Sequence, residues 1–214
     1  MKKILTTAIC ILLLLRLSAQ QERASIRAGN KLYKEKQYQA SLQEYNKAVS
    51  RAPGNEVANY NQGNALVRTN MLDDAITSFD NSIAASKKKP VKEKGYYNKG
   101  VALSKQQKLQ ESIEAWKAAL KLDPDDQQAR ENLQKALLEL KKQQEQQKKQ
   151  EDEKKNKKEQ NKKQDKDQQQ PKQQSKLTQK QVEQLLKALQ QKEKEVQDKL
   201  QSKNASPNRQ DKDW

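Results

Sequence analysis

From Ala24 to Leu122, apolar residues recur at three- and four-residue intervals, broken by short polar runs such as Lys34-Glu35-Lys36-Gln37. That period predicts amphipathic helices joined by turns. Aligned on Gly29, Gly63 and Gly100, the pattern repeats at intervals of 34 and 37 residues. Three positions after each Gly stand Leu32, Leu66 and Leu103, and nine after stand Tyr38, Leu72 and Leu109. Twelve after come Ser41, Ala75 and Ser112, sixteen after come Tyr45, Phe79 and Trp116, and nineteen after come Ala48, Ser82 and Ala119. Each unit therefore reads as a helix–turn–helix pair, helix A followed by helix B. The Gly and the small positions let the pair approach closely, and the aromatic fills the space beside it. Pro53 and Pro124 are expected to stop helix B. The extra residues of the second interval, Lys87-Lys88-Lys89-Pro90, are expected to lengthen a turn.

This register resembles three tetratricopeptide repeats, at about 22–55, 56–89 and 93–126. The resemblance implies an all-α superhelix of three helix-turn-helix repeats. A stack of repeats needs its last apolar face covered. Residues 125–142 carry Ala129, Leu133, Ala136, Leu137 and Leu140 at helical spacing and are expected to form that capping helix, closing a domain over 20–142.

Beyond it the pattern changes. Residues 141–176 contain no aliphatic or aromatic side chain, but 13 Lys, 12 Gln and 7 acids. Such a segment has little apolar surface to set against its ordering entropy, so 143–176 reads as a disordered, low-complexity linker, although Lys, Glu and Gln favour continuation of the helix for some turns. Thr178-Gln179-Lys180-Gln181 has the form of a capping box. After it, Val182, Leu185, Leu186, Leu189, Val196 and Leu200 make one apolar stripe on an amphipathic helix over 177–202. That stripe requires a partner: a copy of itself, another protein or the repeat domain. A tail over 203–214 ends in Asp211-Lys212-Asp213-Trp214, and Asp213 with Trp214 is a candidate docking motif.

At the other end, Met1-Lys2-Lys3, the apolar run Ile4–Leu15 and the small Ala19 read as a signal peptide over 1–19, cleaved after Ala19 or retained as an anchor. The single Cys, Cys10, lies inside the apolar run behind Thr7-Ala8-Ile9, which does not suit lipidation. Export to the periplasm is the expectation.

Composition narrows the chemistry. The chain has 214 residues and no His, which excludes His-based triads and His-containing zinc sites. Gly95 and Gly100 are spaced like the ends of a phosphate loop, but Val101 stands where the Lys belongs. No catalytic residue, cofactor or metal is expected. The formal charge of +16 keeps an alternative reading open, a protein binding nucleic acid or an anionic surface. Residues 20–140, however, hold 20 basic against 15 acidic residues, and the basic spacer has no aromatic for base stacking.

Candidate binding residues follow from the register. Positions one after and two, three and six before each Gly face the concave side: Arg23, Ile26, Arg27 and Asn30; Val57, Tyr60, Asn61 and Asn64; Lys94, Tyr97, Asn98 and Val101. Asn amides pair with the backbone of an extended peptide, and Tyr supplies apolar area. Some tetratricopeptide domains hold a peptide carboxylate in a clamp of Lys, Asn, Asn, Lys and Arg. Here Asn30, Asn61 and Lys94 match it, whereas Ile26 and Asn98 depart from it. The order of parts and the last 40 residues resemble the BatC-type proteins of the aerotolerance (Bat) operon of Bacteroidetes. That resemblance implies a non-catalytic periplasmic scaffold acting with membrane-anchored von Willebrand A domain proteins.

Overall fold

The computed structural model describes residues 20–161 and 177–204. The expected signal segment, residues 162–176 of the spacer and the Asp213-Trp214 motif lie outside the described residues. Eight helices are seen among those described, with no strand: α1 (20–34), α2 (Tyr38–Arg51), α3 (Glu56–Arg68), α4 (Leu72–Ala85), α5 (Lys89–Lys105), α6 (Leu109–Leu122), α7 (Gln127–Asn161) and α8 (Gln179–Asn204). No helix among the described residues is long and apolar enough to cross a membrane. The chain divides into two compact units, one ending at Ala129 and one beginning at Arg130.

In the first unit α1, α3 and α5 are the A helices and α2, α4 and α6 the B helices. Each packs on its neighbour in sequence, and α3 also meets α5. The joint is the Gly–aromatic pair. A Cβ placed on Gly29 would lie 2.6 Å from the Tyr45 ring, one on Gly63 2.6 Å from Phe79, and one on Gly100 2.5 Å from Trp116. Real Cβ contacts do not come so close, so only Gly lets helix A rest on the ring. The small positions are sealed just as tightly: Ser41, Ala75, Ser112, Ala48, Ser82 and Ala119 are all fully buried. The buried hydroxyls keep their hydrogen bonds local or between helices. Ser41 and Ser112 donate to carbonyls three residues back (Tyr38, Leu109), and Ser82 donates to Glu56 O at 2.8 Å.

The A-to-B turns are the same in all three repeats. Lys36, Asn70 and Gln107, each seven residues after the Gly, adopt the left-handed conformation with φ of 61°, 62° and 61°. Around them the amides of Gln37, Met71 and Lys108 donate to the carbonyls of Leu32, Leu66 and Leu103 at 2.9, 2.9 and 3.0 Å. The amides of Lys36, Asn70 and Gln107 donate to Tyr33, Val67 and Ser104. This is a Schellman C-cap, which satisfies carbonyls that the end of helix A would leave unpaired. The repeated Leu is thus also the residue whose carbonyl accepts the closing bond.

Two expectations are corrected. The Lys87–Pro90 insertion does not lengthen a turn. α5 begins at Lys89 with Pro90 in its first turn, so the extra residues add a turn of helix to the third A helix. Pro fits there because first-turn amides have no helical partner and its φ is already helical. The spacer is also not structureless from 143 on, since α7 continues to Asn161. Good helix formers with oppositely charged i, i+4 neighbours such as Glu145 and Lys149 propagate a helix once one has begun.

α7 starts as expected. Asp126 Oδ1 accepts from the amides of Gln128 and Ala129 at 2.9 and 3.2 Å. Ala129, Leu133, Ala136 and Leu137 of the predicted capping face are buried. In the second unit α8 runs back along α7. Gln144 donates to Leu177 O at 2.9 Å, and Lys141 pairs with Glu183 at 3.3 Å. The capping box closes as predicted: Thr178 N donates to Gln181 Oε1 at 2.8 Å, and Gln181 N to Thr178 Oγ1 at 3.4 Å.

Candidate functional site

The A helices bring side chains from three repeats onto one face. Asn61 of α3 donates to Asn30 Oδ1 of α1 at 2.9 Å, and Tyr45 Oη donates to the same oxygen at 2.8 Å. One repeat on, Asn98 of α5 donates to Asn64 Oδ1 at 2.8 Å and to Tyr60 Oη at 2.9 Å. The four predicted asparagines therefore form a ladder that ties helix A to helix A. It does not exhaust them. The ladder consumes the oxygens of Asn30 and Asn64, and Asn64 also hydrogen-bonds the Tyr60 hydroxyl; the NH2 of Asn30 is left as a donor, while Asn98 has spent both donors and keeps its oxygen.

Two hollows open along this ladder. The smaller, about 190 Å³, is lined by Asn30, Tyr33, Lys34, Tyr45, Asn61 and Asn64. The larger, about 310 Å³, is lined by Tyr33, Asn64, Val67, Arg68, Asn98 and Val101. Of the predicted residues, Asn30, Asn61, Asn64, Asn98 and Val101 line these hollows, and Tyr60 joins them by its hydrogen bond. Arg23, Arg27 and Lys94 are exposed on α1 and α5 and line neither hollow. Tyr97 is half-buried, and its backbone carbonyl accepts from Trp116 Nε1 at 3.1 Å.

Tyr33, Lys34, Val67 and Arg68 were not among the sequence candidates. They lie three and four residues after Asn30 and Asn64, so the i+3/i+4 continuation of the predicted face was the signal that could have found them. Burial raises the phenol pKa of Tyr33 and Tyr60 and pushes that of Tyr45 up to about 12, so these hydroxyls stay neutral hydrogen-bonding groups.

A third hollow, about 630 Å³, lies among α4, α5 and α6 and includes Asp73, Lys99, Lys108 and Glu114 in its lining. Four of its charges are already compensated within the repeats: Lys108 pairs with Asp73 at 3.4 Å, Lys99 with Asp80 at 2.6 Å, and Lys117 with Glu114 at 3.1 Å. The hollows on the A-helix face contain Lys34 and Arg68 and no carboxylate.

The α8 stripe is partly covered within the chain. Val182 is fully buried and Leu186 nearly so within the chain's own structure, beside the Lys141–Glu183 pair, so these two are not offered to a second protein. Leu185, Leu189 and Val196 are half-buried, and the Leu200 side chain lies outside the described residues.

Family models for the tetratricopeptide repeat match residues 26–90 and 93–126. Among curated proteins, the chain is 28% identical over 119 residues to "Protein STIP1 homolog" of Dictyostelium discoideum, covering 56% of this chain and 21% of that one. It is 33% identical over 105 residues to the small glutamine-rich tetratricopeptide repeat-containing protein 2 of Mycosarcoma maydis, covering 49% of this chain and 29% of the relative. It thus spans less than a third of these relatives' length. Among solved structures, the first tetratricopeptide domain of Spaghetti (RPAP3) bound to the HSP90 peptide SRMEEVD superposes with a TM-score of 0.53 at 26% identity, over 56% of this chain and 94% of that one. The first such domain of human RPAP3 gives 0.52 at 25%, over 56% and 92%.

Proposed function

We propose, for a chain that carries tetratricopeptide repeats over residues 26–126, that it is a non-catalytic adaptor whose A-helix face captures an extended peptide of a protein partner. The observation that carries this reading is the asparagine ladder with its two hollows. The amide donor left over at Asn30, one acceptor at Asn98, and apolar Tyr33, Val67 and Val101 are what a peptide backbone with one side chain requires. One solved neighbour holds the acidic HSP90 peptide SRMEEVD. The same peptide chemistry suits this face.

The finer reading is a periplasmic scaffold acting with membrane-anchored von Willebrand A domain proteins in a stress-related, aerotolerance-type assembly. It is supported by the apolar Ile4–Leu15 run after Lys2-Lys3, and by the order of repeats, Lys/Gln spacer and amphipathic helix. Crosslinking and pull-down from envelope membranes tests it, with Asn61→Ala, Asn64→Ala as the control. Capture of a von Willebrand A protein by the wild type, lost in the double variant at unchanged helicity, is the expected result. Equal capture by both would remove the groove from the account.

A further inference from the structure

The third A helix is the longest of the three, and its added turn is cationic. α5 runs 17 residues from Lys89 behind an N-cap at Lys88, and residues 87–94 hold five Lys against one Glu. Helix stability does not call for those charges, because the N-terminus is the positive end of the helix dipole. Elsewhere the chain respects that rule: Asn55 caps α3 ahead of Glu56, and Asp73 and Asp74 open α4. α5 has no acid in its first turn and no side-chain cap. The turn is nevertheless fixed in place. The buried Ser86 hydroxyl accepts from Lys88 N at 3.0 Å, and Lys88 Nζ pairs with Glu56 at 2.7 Å. Asn55 in turn donates to Glu22. These contacts set the N-termini of α1, α3 and α5 side by side on one edge of the repeats. There Lys87, Lys89 and Pro90 are exposed and Lys92 is half-buried, and among the described residues none of these three lysines makes an ion pair. Val57, 43% exposed, follows Glu56 on the same edge. Glu93 and the acids beside it are engaged locally: Glu93 is hydrogen-bonded to Asp126, Asp126 caps α7, and Asp123 accepts from Asp125 N.

We infer that this edge is a second interaction surface, one that seats on an anionic lipid bilayer. Lys87, Lys89 and Lys92 meet the headgroup phosphates. Their apolar stems, with the Val57 and Pro90 side chains, enter the boundary between headgroups and acyl chains. The mixture of cations and apolar groups is what selects lipid. A nucleic-acid backbone would take the charges but leave Val57 and Pro90 without an apolar counterpart, and residues 86–94 offer a base neither an Arg nor an aromatic ring. The path of the chain fits as well. α1 starts at residue 20, so the apolar run Ile4–Leu15 joins the repeats at this same edge. None of these residues lines the hollows along the asparagine ladder. The A-helix face therefore stays open to a peptide while the edge lies on the bilayer.

The test is co-sedimentation of the chain from Gln20 onward, which keeps every described helix, with vesicles of phosphatidylcholine alone or mixed with phosphatidylglycerol. Binding should require phosphatidylglycerol and weaken as salt rises. Lys87→Gln, Lys89→Gln and Lys92→Gln together should lower it about tenfold or more, with Lys88 kept to hold Glu56. Removing positive charge from the start of α5 suits the helix, so thermal melting of this variant should be unchanged or higher. Lys148→Gln, Lys149→Gln and Lys154→Gln take the same charge from exposed positions of α7 and should change binding about twofold at most. If the α5 triple variant binds like the wild type, the lipid contact lies on another element and the assignment is wrong. If the two triple variants lose equally, total charge alone drives binding, and the edge again has no special part. Equal binding to phosphatidylcholine alone, or no binding to either vesicle, overturns the surface outright. Retention on duplex DNA without vesicle binding would make the edge a nucleic-acid surface, and displacement from vesicles by inorganic phosphate at constant ionic strength would make it a phosphate site. Either result overturns the bilayer. The groove is tested separately by partner capture, so the two readings fail independently.

Discussion

The stacked repeats and the α7–α8 hairpin are both built from helices with polar outer faces, yet their contacts differ in kind. In the repeats, three aromatic rings lie against three glycines, and six small positions are fully buried. At each of the three glycines an added carbon would lie within 3 Å of the ring. In the hairpin, α8 buries Val182 and Leu186; beside them Lys141–Glu183 is a surface pair of about 1 kcal/mol or less, and Gln144 donates a part-buried hydrogen bond to Leu177 O. Close fit makes a repeat array rigid enough to present a groove. A helix held by two buried and three half-buried apolar side chains is one that opens first.

The contrast can be broken most forcefully at a glycine. Gly63→Ala gains about 1 kcal/mol of helix propensity, but its Cβ would meet three atoms of the fully buried Phe79 ring inside 3 Å. Overpacking of that kind costs about 1–3 kcal/mol, and with the ring enclosed we expect the clash to win by up to about 2 kcal/mol. Urea denaturation followed by circular dichroism measures it. A variant more stable than wild type would mean that close approach is not what the glycine provides.

Next in size is the hairpin. Val182→Ala should cost α8 about 1–2 kcal/mol, seen as faster amide exchange over residues 179–204. Exchange in α3 and α4 should not move. Coupled loss of protection in both units would erase the distinction between a rigid array and a separable helix.

A third test uses pH. Burial, then a hydrogen bond and repulsion from Asp126, then repulsion from Asp123, raise the Glu93 carboxyl from 4.5 to about 7, against a smaller opposing pull from Lys94. Glu93 therefore binds its proton more tightly folded than unfolded. Its stabilising contribution is complete below about pH 4.5 and is lost as pH rises through about 7. Because the group is partly exposed, solvent screening leaves about 1 kcal/mol of effect. Glu93→Gln should flatten the difference in urea midpoint between pH 5 and pH 7.5. An unchanged slope would show that other groups set it.

The smallest effect is at the turns. Lys36 and Gln107 hold the left-handed conformation without being glycine. Replacing either by Gly relieves about 1 kcal/mol of steric cost and gives part of it back as unfolded-state entropy, for a net gain of about 0.5 kcal/mol. Asn70 tolerates the conformation better and should gain less. Thermal melts of the three single variants rank them.

Much of this fold was legible from residue types alone, because the forces behind it are local or strictly periodic. A glycine, a leucine three residues on, small residues at twelve and nineteen and an aromatic at sixteen are the conditions for two helices to pack, so they recur wherever the pair recurs. Prolines two residues past the ends of α2 and α6 and the Thr178–Gln181 box act within a single turn of chain. Pro90 misled because the same residue that ends one helix is welcome in the first turn of the next. What the tertiary structure alone decided are the meetings of distant polar groups. Asn30 finds Asn61 across 31 residues, and Arg68 finds Tyr38 across 30. The asparagines were nameable, but whether they faced a ligand or one another depended on the rotation between repeats, which no single repeat encodes. The partner of α8 was equally open, since an apolar stripe states that it must be covered and not by what. Glu93 looked like any surface acid until the fold set Asp123 and Asp126 beside it. Local chemistry writes the elements; the groups that acquire unusual properties do so from neighbours that only stacking supplies.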